Sequence, residues 1–236
     1  MNFIALSGLP RTGSTLLSAI LSQNPNIHAE GNSAVCQLMW VMHKSCEVSE
    51  QLKASQRYQD QDVLVSAIPK LYYRNTKAEY IVDKCRSWTL SLNTEMIKRY
   101  ITKNPKIIVM TRPADEILDS ILRLYKNNNV VVDKDFIAKK LFEPGSEPLM
   151  RSLDGVKYAQ KNNNGEFLFI EYSDLVADPK ETIESIYKFC DIESFKHNFQ
   201  KIINKHPEDD DLYGLKNIHK VYSSIRQKVQ PDIHPH

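Results

Sequence analysis

The chain lacks the features that mark secreted, membrane-spanning and nucleic-acid-binding proteins. Its 4 cysteines include no CxxC pair and no zinc-ligand spacing, which indicates free thiols in a reducing compartment. No apolar run approaches the roughly 20 residues of a membrane span, and a predicted strand begins as early as Phe3, so we expect no signal peptide. Lys and Arg total 31 and Asp and Glu total 29, a balance that does not suggest a nucleic-acid binder. We therefore expect a soluble cytoplasmic protein with no membrane or nucleic-acid partner.

The apolar runs that are present are short, and each is followed by a loop and a helical pattern. This alternation predicts a three-layer α/β fold, in which helices flank a central parallel sheet of about four or five strands. At 236 residues the chain is long enough for one such domain, and we expect residues 1–236 to form it. Residues 33–75 and 125–162 are predicted to be helical insertions between strands. The predicted strands are Phe3–Ser7, Tyr80–Asp83, Lys106–Thr111 and Phe167–Glu171.

The first predicted strand runs into a glycine loop. Gly8 and Gly13 have the spacing of the phosphate-binding loop GxxxxGK[ST], which indicates a P-loop-like fold. The lysine of that motif is missing, because Ser14 occupies its position, and the loop carries Arg11 as its cation instead. Backbone N–H groups, a helix N-terminus and a guanidinium can together hold an anion. We therefore predict that an anionic ligand is bound by Arg11, Thr12, Gly13, Ser14 and Thr15.

The segment Ser7–Ser18, with the sequence SGLPRTGSTLLS, resembles the 5′-phosphosulfate loop of the sulfotransferase family, whose members use 3′-phosphoadenosine 5′-phosphosulfate (PAPS). In carrying arginine rather than lysine at position 11, the chain resembles the bacterial and tyrosylprotein branches of that family. In the family, an arginine at a strand end and a serine eight residues later hold the 3′-phosphate, and Arg112 and Ser120 have this spacing. Tyr172, in FLFIEYSDLVADP, resembles the tyrosine that helps to enclose the adenine.

The resemblance implies transfer of a sulfuryl group from PAPS to a hydroxyl or amine acceptor, with release of adenosine 3′,5′-bisphosphate (PAP). Such a reaction needs a base and cations. Arg11 and Lys84 are expected to supply the cations, whereas Arg86 stands where the cytosolic members carry their catalytic histidine. Glu30 is therefore predicted as the base, since the tyrosylprotein sulfotransferases carry a catalytic glutamate in the corresponding stretch. His28 is the reserve candidate.

Other residues and other functions stay open. Arg123 follows Ser120 by one helical turn, and Lys216 and Lys220 lie in a late segment that resembles a family loop closing over the nucleotide or the acceptor. The HxH pattern in Pro231–His236 is interpreted as a disordered end, and no metal is expected. The acceptor is predicted to be a small molecule, a carbohydrate or a peptide, with the two helical insertions as its lid. The alternatives are a P-loop small-molecule kinase and a non-catalytic PAP- or PAPS-binding relative.

Overall fold

A five-stranded parallel sheet forms the centre of the protein in a computed structural model, which describes residues 2–225. The strands lie in the order β2-β3-β1-β4-β5, and every neighbouring pair is parallel. The predicted α/β fold class is thereby confirmed, and the four predicted strands are all present. The strands are β1 (Asn2–Gly8), β2 (Ile27–Ala29), β3 (Tyr80–Lys84), β4 (Lys106–Thr111) and β5 (Phe167–Glu171).

Helices connect the strands and occupy both predicted insertions. Residues 33–75 contain α2, α3 and α4, and residues 125–162 contain the end of α6 together with α7 and α8. One short 3₁₀ helix, Arg86–Thr89, follows β3, and another, Asp210–Tyr213, lies near the end of the described chain. The α-helices are α1 (Ser14–Leu21), α2 (Val35–Val48), α3 (Glu50–Ala54), α4 (Asp60–Tyr72), α5 (Ser91–Tyr100), α6 (Ala114–Asn127), α7 (Lys134–Leu141), α8 (Met150–Lys161), α9 (Tyr172–Ala177) and α10 (Pro179–Phe189).

The sheet is buried on both faces, and the central strand shows this by its alternating side chains. Phe3 and Ala5 belong to one hydrophobic cluster, which packs against α2, α5 and α8. Ile4 and Leu6 belong to the cluster on the other face, which packs against α1 and α10. Because both faces are covered, β1 reads as a continuous apolar run rather than an alternating one.

The strand order places the expected ligand crevice at the centre of one sheet edge. β2 and β3 lie on one side of β1, whereas β4 and β5 lie on the other, so the direction of chain progression reverses at β1. In open parallel sheets, ligands bind outside the carboxyl ends of the strands at such a reversal. Among residues 2–225, no helix is long and apolar enough to cross a membrane. Pro231–His236, with its HxH pattern, lies outside the described residues.

Candidate active site

The glycine loop after β1 adopts a backbone that only glycine accommodates at two positions. Gly8 and Gly13 have φ values of 128° and 76°. A Cβ atom at Gly8 would lie 2.0 Å from the carbonyl oxygen of Met110, and one at Gly13 would lie 2.7 Å from the ring of Tyr172. Arg11 also has a positive φ, 58°, which side chains rarely adopt outside constrained loops. The loop is therefore a tightly wound structure whose conformation is fixed by the neighbouring strand end and by one aromatic ring.

The loop leads directly into the N-terminus of α1. Thr12 is buried and donates a hydrogen bond from Oγ1 to the carbonyl oxygen of Leu9 at 2.8 Å, which closes the turn. Gly13 is the N-cap of α1, and no described side chain caps this helix by a hydrogen bond. Its first N–H groups are thus available to a ligand, and the helix dipole adds positive potential there. Ser14 and Thr15 follow as its first two residues.

The arginine of this loop, Arg11, lies beside Arg112, which follows β4. Arg11 donates from Nε to Ser120 Oγ at 3.2 Å, and Arg112 donates from Nη1 to the carbonyl oxygen of Arg11 at 2.9 Å. Arg112 also bonds Glu116 at 3.0 Å and lies 4.4 Å above the ring of Tyr172. Burial, and then the nearby charge of Arg112, lower the pKa of the Arg11 guanidinium from its usual value. A bound anion would relieve this repulsion between like charges.

These residues line one cavity of about 300 Å³ at the carboxyl edge of the sheet. Its walls come from the loop after β1, the end of β3 and the turn after it, the residue after β4, the middle of α6, both ends of α9 and the C-terminal segment 218–225. The structure thus brings together all of the residues that the sequence predicts to bind nucleotide, namely Arg11, Thr12, Gly13, Ser14, Thr15, Arg112, Ser120 and Tyr172.

Lys84 is a buried cation at the floor of this cavity. It is the last residue of β3, it pairs with Leu6 of β1, and it is 8% exposed. Burial, followed by the nearby charge of Arg86, lowers the pKa of Lys84 to about 8. No salt bridge within the described chain neutralises its ammonium group. A buried cation without such a partner is costly, and a bound anion would compensate for that cost.

A hydrogen-bonded cluster beneath the site fixes the end of β3. Asp83 is fully buried and accepts hydrogen bonds from Trp88 Nε1 at 2.6 Å, from the Tyr73 hydroxyl at 2.7 Å and from Ser33 Oγ at 2.5 Å. Burial raises the pKa of Asp83, and the three hydrogen bonds oppose that rise. Because the cluster ties β3 to the segment before α2, to the residue after α4 and to the following 3₁₀ turn, it holds Lys84 in position.

A second cavity of about 290 Å³ adjoins the first. Its outer walls include Glu147, Arg151 and Ser152, which come from the second predicted insertion, and Tyr213 from the C-terminal segment. No residue of the first predicted insertion, 33–75, is among these walls. The residues that line both cavities, and so form their boundary, are Lys84, Arg86, Ile218 and His219.

The predicted base, Glu30, lies outside both sets of cavity walls. Its Oε1 is 2.8 Å from His28 Nε2, and the ring of His28 stacks obliquely on His206 with centroids 4.8 Å apart. The structure therefore brings Glu30 and His28 together with each other, but not with Arg11 and Lys84 around one cavity. The assignment of the base to Glu30 stays a prediction.

The late segment contributes a functional candidate that the sequence analysis missed. Its two lysines were the predicted contacts: Lys220 lines the first cavity, whereas Lys216 bonds Asn128 through its backbone. His219 lies between them, lines both cavities, and has its Nδ1 2.7 Å from Asp210 Oδ1. The one signal for His219 in the sequence was the family-like pattern of this segment. Arg123 does not line either cavity.

Among residues 2–225, no group of three or more His, Cys, Asp or Glu side chains is arranged to hold a metal ion. The chemistry that the described site offers is that of fixed cations, backbone N–H groups and one imidazole. Such groups stabilise negative charge that develops on oxygen atoms during group transfer.

Comparisons with known proteins identify the family. The chain is similar in structure to a sulfotransferase from Alicyclobacillus acidocaldarius, with 15% identity, a TM-score of 0.57, and coverage of 90% of this chain and 88% of that one. It is also similar to the sulfotransferase domain from the curacin biosynthetic pathway, with 15% identity, a TM-score of 0.56, and coverage of 84% and 77%. For mouse sulfotransferase SULT7A1 complexed with PAP, the identity is 15%, the TM-score 0.53, and the coverage 83% and 61%.

At these identities the solved structures establish the fold alone, and no curated protein sequence matches the chain significantly. The family itself is established by sequence. The model of the "Sulfotransferase family" matches residues 4–197, which run from β1 to beyond α10 and include the glycine loop, Lys84 and Arg112. The chain therefore belongs to the sulfotransferase family.

Proposed function

We propose that this protein transfers a sulfuryl group from PAPS to a hydroxyl or amine acceptor and releases PAP. The observation that carries the proposal is the convergence of Arg11, Arg112 and Lys84 with the uncapped start of α1 on one cavity. PAPS carries a phosphosulfate at one end and a phosphate at the other, and separate cations suit such a ligand. Mouse SULT7A1, which shares the fold, has been crystallised with PAP.

The residues fit the two ends of PAPS in different ways. The loop N–H groups, the hydroxyls of Ser14 and Thr15 and the guanidinium of Arg11 would hold the phosphosulfate. Arg112 and Ser120 would hold the 3′-phosphate. Arg112 uses Nε and Nη1 within the protein, so its position is fixed before any ligand binds, while Nη2 makes no hydrogen bond with the described residues.

Tyr172 and Lys84 complete the donor site. The ring of Tyr172 packs on Gly13 and Arg112, and its remaining surface lines the cavity where an adenine would stack. The ammonium of Lys84 lies at the boundary with the second cavity, where it would stabilise negative charge on the oxygen that leaves sulfur. Arg11 would share this task. These roles require no nucleotide triphosphate and no lysine at position 14.

The second cavity is proposed as the acceptor site. Its walls combine charged and hydrogen-bonding groups, Glu147, Arg151 and Tyr213 among them, which suits a polar small molecule, a carbohydrate or a peptide. The insertion at 125–162 would form the lid, because it supplies three of these walls. The insertion at 33–75 would act indirectly, by supporting the turn after β3.

Ligand binding and transfer can be tested separately. Calorimetry should detect binding of PAP, and the Arg112→Ala variant should lose most of that affinity, whereas Arg99→Ala, an exposed arginine on α5 paired with Asp62, should not. Incubation with [³⁵S]PAPS and a panel of phenol, alcohol, sugar, amine and tyrosyl-peptide acceptors should then yield labelled product.

Three outcomes would argue against the proposal. Binding of ATP with magnesium in preference to PAP would favour the kinase alternative. Tight binding of PAP without any loss of label from PAPS would favour the non-catalytic alternative. Equal affinity of wild type and Arg112→Ala for PAP would remove the predicted 3′-phosphate site.

A further inference from the structure

A group that acts on donor and acceptor together must lie where their two cavities meet. Four residues line both cavities: Lys84, Arg86, Ile218 and His219. Ile218 is apolar, and the guanidinium of Arg86 stays protonated in water. Lys84 serves the reaction as a cation. His219 is thus the member of this set whose side chain, as a neutral imidazole, carries a lone pair that can accept a proton.

The imidazole of His219 is held by a carboxylate on one side. Its Nδ1 lies 2.7 Å from Asp210 Oδ1, and its backbone N–H donates to Asp210 Oδ2 at 3.1 Å. An ionised carboxylate accepts but does not donate, so Nδ1 carries the proton and Nε2 carries the lone pair. No hydrogen bond within the described chain uses Nε2. The pair therefore has the arrangement in which a carboxylate orients an imidazole for proton transfer.

The segment that carries His219 is fastened to the donor loop. Arg11 donates from Nη1 to the carbonyl oxygen of Ile218 at 2.6 Å, and Lys216 exchanges two backbone hydrogen bonds with the side chain of Asn128, at 2.7 and 3.1 Å. The residue next to His219 thus touches the arginine of the anion-binding loop. Because of this contact, the imidazole is positioned relative to the donor site rather than on a free loop.

We propose that His219 is the general base of sulfuryl transfer and that Asp210 is its positioning residue. The inference rests on the proposed function. As the acceptor oxygen forms its bond to sulfur, the acceptor proton passes to His219 Nε2. The bond from sulfur to the bridging oxygen breaks, and its electron pair stays on the 5′-phosphate of PAP. The imidazolium later returns its proton to water.

Charges of both signs lie near His219. Asp210 and Glu208, the latter with Oε2 at 3.6 Å from Nδ1, favour the imidazolium that forms on proton transfer. The ring of Tyr213 packs edge-on with its centroid 5.5 Å away. The charged residues that share its cavities are six cations and one carboxylate, namely Arg11, Lys84, Arg86, Arg112, Arg151, Lys220 and Glu147. Asp210 and Glu208 both approach Nδ1, so they stabilise the product of proton transfer without occupying Nε2.

His219 also offers a substitute for the catalytic histidine that this chain lacks after β3. Arg86 replaces the catalytic histidine that the cytosolic members carry at that position, and Arg86 and His219 line the same two cavities. The imidazole would thus be supplied by the C-terminal segment instead of by the turn after β3. Glu30, the predicted base, bonds His28 and lines neither cavity.

The test uses the full chain with [³⁵S]PAPS. The measured rate is that of transfer of the labelled sulfuryl group to water or to any active acceptor. His219→Gln should lower this rate by about 10²- to 10⁴-fold, while the affinity for PAP measured by calorimetry stays within about threefold. The acidic limb of the pH–rate profile should also disappear in His219→Gln. Imidazole added to His219→Ala should restore part of the rate. Asp210→Asn should lower the rate by at least about tenfold and shift the acidic limb.

The matched control is His197→Gln, since His197 bonds the Tyr187 hydroxyl at 2.9 Å and lines neither cavity; it should keep the wild-type rate. A wild-type rate and an unchanged acidic limb in His219→Gln would overturn the proposal and leave the proposed function intact, and loss of rate in Glu30→Gln instead would return the role to Glu30. If the wild type binds PAP but releases no label, the proposed function fails, and this inference fails with it.

Discussion

Arg11 Nη1 lies 2.6 Å from the carbonyl oxygen of Ile218, and this hydrogen bond joins the first loop of the chain to its C-terminal segment. The same guanidinium donates from Nε to Ser120 Oγ, in the middle of α6, at 3.2 Å. Arg11 therefore connects three segments that are far apart in sequence. Its removal would affect both the charge of the donor site and the position of the segment that closes it.

Arg11→Lys should weaken PAP binding by about 10- to 100-fold, because a lysine keeps the charge but cannot make the two hydrogen bonds of the guanidinium at once. Arg11→Ala should weaken it further, since the charge is lost as well. Calorimetry with PAP measures both effects. Arg99→Ala is the control for a lost exposed arginine and should bind as the wild type does. Equal affinities for Arg11→Lys and wild type would show that only the charge of Arg11 matters.

Gly13→Ala should destabilise the protein and lower its affinity for PAP. A Cβ there adds a left-handed backbone strain of roughly 1 kcal/mol to a contact of 2.7 Å with the Tyr172 ring. Gly165→Ala is the matched control, because Gly165 has φ 89° but no atom within 4 Å of an added Cβ. Urea unfolding should show a larger loss of the free energy of unfolding for Gly13→Ala than for Gly165→Ala. When both substitutions are made in a Tyr172→Ala protein, this difference should disappear. Equal losses in the wild-type background would mean that the ring contact has no energetic weight.

The fold and the donor side of the site could be predicted from the sequence for a simple physical reason. Buried parallel strands are continuous apolar runs, and their carboxyl ends meet at one edge, so Arg11, Lys84 and Arg112 had to be neighbours once the strands were recognised. β2 was missed because three edge residues, Ile27–Ala29, are too short to show a pattern.

The acceptor side could not be predicted in the same way. His219 lies in a segment without regular structure, apart from the turn Asp210–Tyr213, and its position depends on distant contacts such as Arg11 with Ile218 and Asn128 with Lys216. Local sequence carries no periodic signal for such contacts. The resemblance drew attention to the segment, but only the cavity boundary distinguishes its histidine from its lysines.

Cys85 should react with iodoacetamide faster at neutral pH than an ordinary thiol. The neighbouring Cys36 thiol, as a hydrogen-bond donor, lowers the pKa of the Cys85 thiol, and Cys85 lines the second cavity. The reaction rate should therefore level off at a lower pH than the rate of an ordinary thiol does, because the thiolate is the nucleophile. Cys190 is the internal control, since burial raises the pKa of its thiol to about 12 and should leave it unreactive in the folded protein. Mass spectrometry after timed labelling distinguishes the two sites.

Cys36→Ser tests the cause of that shift. A serine hydroxyl can still donate to the Cys85 thiolate, so its reactivity should persist, whereas Cys36→Ala removes the donor and should move the midpoint of the rate–pH curve upward. A midpoint at the usual value of a free thiol in the wild type would contradict the assigned hydrogen bond.

PAP binding should take up a proton at pH 8, and Lys84 should be its site. Burial lowers the pKa of Lys84 in the free protein to about 8, so about half of the side chains are neutral at that pH. A bound phosphate favours the ammonium form and raises this pKa, hence binding should draw in roughly half a proton per site at pH 8 and more at pH 9. For the same reason, affinity should fall as the pH rises above 8. Below pH 7 the ammonium is already formed in the free protein, and the contribution of Lys84 to proton uptake should vanish.

Calorimetry at pH 8 in buffers of different ionisation enthalpy measures this uptake as the slope of the observed heat against that enthalpy. Lys84→Met keeps an unbranched side chain that is one atom shorter and has no ammonium, so it should bind PAP more weakly and show no slope from this source. Lys180→Met, on α10 and paired at 3.8 Å with Glu184, is the control for a lost exposed lysine and should retain the wild-type slope. A slope that survives in Lys84→Met would place the proton elsewhere, and the absence of a slope in the wild type would mean that the Lys84 ammonium does not respond to the bound nucleotide.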